Sequence, residues 1–198
     1  MDTKKKIGPC GYTQFQIIEL ADKLAEKVEF KVGDKEGLLP VIERFGGTIV
    51  EGNTWDLTAS LRTLDEEVEN KPSNKKFEIK VPAMFPLRER FSIAQEFAHY
   101  ILHTRFGDIP IKQFKSSSDR CELVRAESMI FAHAFLMPTK DFRRIVNSYA
   151  KHKMPIDYTN LAAMFYVPWE TVRNRLDMHK YYQKCKKQLR KAEVKSAV

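Results

Sequence analysis

Long apolar runs are missing from this chain. No stretch approaches the ~18 consecutive apolar residues that a membrane span requires, and no apolar segment follows the basic cluster Lys4-Lys5-Lys6 near the N-terminus. A membrane protein and a secreted one are therefore not expected, and a cytoplasmic location is. Cysteine is sparse too: Cys10, Cys121 and Cys185 lie far apart, are odd in number and form no C-x-x-C pair. That spacing argues against a disulfide framework and against a thiolate zinc site, and it suits a reducing compartment. Internal repeats and low-complexity segments are also lacking.

What is present is enough for one core. At 198 residues and 43% hydrophobic, the chain can bury a single apolar interior with a small helical appendage. The net charge of +8 is unevenly placed. From His179 onward seven Lys or Arg face one acid, Glu193, so this tail supplies +6 and the preceding 178 residues are close to neutral. Such a tail is either a solvated helix end or a contact for nucleic acid or an acidic partner.

The most informative segment is Phe91-Ser-Ile-Ala-Gln-Glu-Phe-Ala-His-Tyr-Ile-Leu-His103. Zinc-peptidase helices read H-E-x-x-H, with two imidazoles one turn apart and a glutamate beside the first. Glu96 and His99 stand where that pattern wants them, but Gln95 replaces the first histidine. At about 100° per residue, Gln95, Glu96, His99 and His103 share one helix face, leaving Ile93, Phe97, Ile101 and Leu102 to face a core. In a complete site, zinc acidifies a bound water and polarises the scissile carbonyl while the glutamate takes the proton. Glutamine is a poor replacement, because its neutral amide oxygen suits harder cations and lowers zinc affinity.

A second segment, Glu127-Ser-Met-Ile-Phe-Ala-His-Ala-Phe-Leu-Met-Pro138, completes a pattern. Taken with Arg90–His103, it resembles the ImmA/IrrE family of metallo-endopeptidases, whose two helices read R-F-[ST]-x-A-H-E-x-x-H-x-x-x-H and E-A-N-x-F-A-x-x-L-L-M-P. The resemblance spans about residues 38–176. It implies an α+β fold with a small antiparallel sheet beside a gluzincin-like active-site helix, and Glu127 as the third zinc ligand. It also implies action on a repressor-type regulatory protein of a mobile element or a stress response. The Ala-Asn pair of the second motif is Ser128-Met129 here, a minor departure; the lost first histidine is the serious one. Three arrangements follow. Gln95 ligates weakly through its oxygen, or His103 joins His99 and Glu127, or no metal binds and the protein holds its target without cutting. His103 also reads as a core or supporting histidine, since the family carries one there beside a complete set. His133, six residues beyond Glu127, falls on the opposite face and reads as structural or exposed.

Along the rest of the chain, apolar spacing predicts a helix over 13–28 and another over about 35–45, stopped by Gly46-Gly47. Strands are expected at Thr48–Val50, Leu57–Leu64 and Phe77–Val81, with a polar connection over 65–75. Pro82 and Pro86 bracket a turn before a helix from Leu87, whose Arg88 and Arg90 read as surface ion-pair formers. Ser116–Asp119 reads as a loop cap leading into the helix of Glu127. Residues 157–177 suggest a helix-turn-helix, with Pro168 opening the second helix and Trp169, Thr171, Arg173 and Asn174 as the side chains a DNA reader would use. The expected division is a metallopeptidase-like domain over 1–155, a helix-turn-helix-like segment over 156–178 and a basic tail over 179–198. The expectation is a zinc-dependent endopeptidase-like protein, with a non-cleaving binder or a DNA-binding regulator as alternatives.

Overall fold

A computed structural model describes residues 7–53, 58–64, 75–83, 85–108 and 122–196. The described elements run α1 (Gln14–Lys27), α2 (Leu38–Arg44), β1 (Gly47–Glu51), β2 (Ser60–Thr63), β3 (Phe77–Val81), α3 (Pro86–Leu102), α4 (Glu122–Leu136), α5 (Thr139–Lys151), α6 (Tyr158–Phe165) and α7 (Trp169–Ser196). The class is α+β, as the two motifs imply.

The sheet differs from the antiparallel one expected. Its order is β1-β3-β2, with β3 antiparallel to β2 but parallel to β1. The reason is topological: β3 reverses direction after β2 and inserts between the two earlier strands, so it runs the same way as β1. Phe77, Ile79 and Val81 alternate inward along β3, which buries a row of side chains under α3. Gly47 is required where β1 starts, because a Cβ there would lie 2.3 Å from the Phe77 ring. Just before it, Gly46 takes φ +79 and ends α2 in the left-handed conformation that favours glycine.

Helix α4 packs against both α1 and α3. The core between them is aromatic: Phe97 meets Phe131 and Phe135 edge-on, and Phe77 stacks on Tyr100 with ring centroids 3.8 Å apart. Ile93, Phe97, Ile101 and Leu102 are all buried on α3, as their spacing predicts. Helix α1 begins with a reciprocal capping box between Thr13 and Gln16.

Arg90 corrects its expected surface role. It is buried, donates from Nη1 to the carbonyls of Asp34 and Lys35, and lies against the rings of Phe30 and Tyr166. It ties the start of α3 to the segment before α2. Arg88 is exposed. Helix α5 was not foreseen, and the expected boundary between residues 178 and 179 falls inside the continuous α7. The polar connection over 65–74, residue 57 at the start of the second expected strand and the expected cap at 116–119 lie outside the described residues.

Candidate metal centre

The expected site residues come from two neighbouring helices. Helix α3 presents Glu96, His99 and His103, all buried, with Gln95 half-buried one turn before His99. Helix α4 contributes Glu127 from its second turn, also buried. Because α3 and α4 pack side by side, the α3 imidazoles and the Glu127 carboxylate meet in the groove between them.

His103 makes the connection. Its Nε2 lies 2.9 Å from Glu127 Oε2, and its Nδ1 lies 3.0 Å from His99 Nδ1. Burial lowers the proton affinity of both rings, and the neighbouring His103 depresses His99 further, well below the usual imidazole range. For His103, burial outweighs the opposing pull of Glu127. Both rings are therefore neutral at neutral pH, and each has one N–H to place. Where His103 Nε2–H donates to Glu127, His103 Nδ1 accepts and His99 Nδ1–H donates. That order leaves the lone pair of His99 on Nε2. His103 thus orients both groups that the resemblance assigns to metal, as a partner behind a ligand does.

A further member was invisible in the sequence. The backbone N–H of Cys10, 117 residues away, donates to Glu127 Oε2 at 2.9 Å. The half-buried segment from Ile7 to Cys10 packs on the core beside this carboxylate. Burial pushes the Cys10 thiol up to about 11, with Glu127 adding to the rise, so it stays protonated and is a weak nucleophile at neutral pH. His133 lies away from this cluster, bonded through Nδ1 to the Met129 carbonyl and packed edge-on against Phe91.

The residues present do not make up the ligand set of a catalytic zinc. His99 and Glu127 are strong donors with their orientation fixed, but the third place belongs to the amide of Gln95. Among the described residues no three His, Cys, Asp or Glu side chains are grouped to hold a metal ion. Two strong donors and a neutral amide fall short of the three protein ligands that hold catalytic zinc. The set does not fit the ion.

The fold is α+β with the two motif helices side by side, and comparison with known proteins adds to that class. Residues 82–177 match the family model of the IrrE N-terminal-like domain, Peptidase_M78. The resemblance expected from the two helix motifs is borne out over that stretch, which is just under half of the chain and runs from after β3 into α7. A solved Mycobacterium tuberculosis transcriptional regulator has a similar fold, with a TM-score of 0.53 and 19% identity over 84% of this chain. The present chain spans 47% of that regulator's length. No curated protein matches the sequence.

Proposed function

We propose that this protein uses a metallopeptidase fold to bind a regulatory protein of the repressor type, without zinc-dependent cleavage. One observation carries the reading. The first-ligand position on α3 holds Gln95, while His99 and Glu127 are bonded through His103 into one chain. Retention of both ligands and of the buried Glu96 preserves the shape of the groove; loss of the third strong donor removes the affinity that chemistry needs. The family match supports a regulator-related role, and the protein kind of the partner follows from that kinship.

The test is direct. Wild-type protein is incubated with equimolar zinc and a peptide library, and new N-termini are sought by mass spectrometry. None are expected. Cleavage that disappears in Glu96→Gln, which removes the base but no ligand, would show an active peptidase and overturn the reading.

A further inference from the structure

Helix α7 has two faces of opposite character. Thr171, Val172, Arg175, Leu176, Met178, His179 and Tyr182 are buried against the rest of the protein. On the other side, Trp169, Arg173, Lys180, Lys184, Lys187 and Lys191 are all exposed. At 100° per residue these six fall within an arc of about 60°. From Trp169 to Lys191 the row is about 33 Å long, at 1.5 Å per residue. Two acids border this arc, the exposed Glu170 and Asp177, which is engaged by Lys180 at 3.1 Å.

We infer that this face binds the phosphate backbone of a nucleic-acid duplex, independently of base sequence. Five cations in a row about 27 Å long, from Arg173 to Lys191, match a polymer whose charge repeats along its axis. A lipid surface fits poorly. An interfacial helix needs a continuous apolar face to insert; that of α7 from Val172 to Tyr182 is already inside the protein, and the exposed Trp169, Tyr181 and Leu189 do not line up as one. Base reading fits poorly too. Of the four side chains a helix-turn-helix reader would use, Thr171 is buried and its hydroxyl donates to the Pro168 carbonyl, which takes it out of reach of a groove. The remaining three leave backbone contact as the dominant interaction.

The experiment uses the full chain and two fluorescein-labelled 24-base-pair duplexes of unrelated sequence, read by anisotropy between about 50 and 200 mM salt. Five phosphate contacts, one of them weakened by Asp177, predict a slope of log K on log salt of about −4. Doubling the salt then weakens binding about sixteenfold, equally for both duplexes. The stripe variant Lys180→Gln, Lys184→Gln, Lys187→Gln, Lys191→Gln should bring the slope near −1. A charge-matched control, Lys23→Gln, Lys27→Gln, Lys140→Gln, Lys151→Gln, should keep it near wild type. Arginine at the same four stripe positions should preserve binding and, by circular dichroism, helix content. Equal loss in the stripe and control variants would mean net charge alone and overturn the inference. So would a wild-type slope shallower than −1. A polyglutamate peptide bound as tightly as the duplex, with the same dependence on the stripe, would assign the face to an acidic protein instead.

Discussion

Between α3 and α4 the ionisable groups are buried and bond one another, while along the outer face of α7 five cations stand in water with two acids, Glu170 and Asp177, at its border. The difference is one of dielectric surroundings. In the groove, each polar atom lost leaves another stranded, so the arrangement is rigid and substitution is costly. On α7 each charge is solvated and worth little to stability, so the row is free to serve contacts with something outside. The same helix shows both regimes. Arg175, on its inner face, is fully buried, donates from Nε to the Met137 carbonyl at 3.0 Å and from Nη2 to Thr139 Oγ1 at 2.8 Å, and lies against the Phe142 ring.

That contrast is broken most severely at Arg175. Arg175→Ala should cost about 3–5 kcal/mol in urea unfolding, because it empties a buried site and strands the Met137 carbonyl. A loss below about 1 kcal/mol would mean the inner face is not rigidly held. In the groove, His103→Ala removes both links at once and should cost about 2–3 kcal/mol. His103→Asn, which reaches only one of the two partners, should recover part of it.

Acid provides a subtler probe. Burial, reinforced by the Arg175 charge, lowers His133 from 6.5 to about 4, and burial with Arg175 and Arg143 does the same for His179. Between those values the unfolded chain binds more protons than the folded one, so stability falls as pH drops from 6.5 toward 4. Above 6.5 these groups add no slope. His133 alone contributes up to about 1.4 kcal/mol per pH unit within the window, and His179 adds to the fall. In His133→Phe the curve should be flatter there; an unchanged curve would remove His133 from the account. The smallest effect belongs to the outer face. Lys184→Gln should change stability by less than about 0.5 kcal/mol, and a larger loss would show that the row is structural.

Much of the groove was legible because helix periodicity fixes which side chains share a face. His99 and His103 are spaced to meet, Gln95 and Glu96 are spaced to share their face, and the second motif supplied Glu127. The bridging geometry of His103 was not legible, since spacing places a ring on a face without saying which nitrogen meets which partner. Cys10 was beyond reach for a different reason: its contact is made by a backbone N–H, which any residue would offer. Helix α5 was missed although it was legible: Phe142, Ile145, Val146 and Tyr149 stand at i, i+3, i+4 and i+7, with Arg143, Arg144, Asn147 and Ser148 on the polar side. Arg90 reads as a surface cation because its acceptors are carbonyls of a distant loop. The order of the sheet depends on which gap β3 fills, and strand alternation does not encode that.

The central claim is that Gln95 leaves the site short of one strong donor, and zinc occupancy of two proteins measured side by side tests it most directly. Wild-type protein, equilibrated with zinc and desalted, should retain less than about 0.1 zinc per chain, whereas Gln95→His, which restores three strong donors, should approach one. Wild-type protein that keeps close to one zinc per chain, with no gain in Gln95→His, would contradict the account.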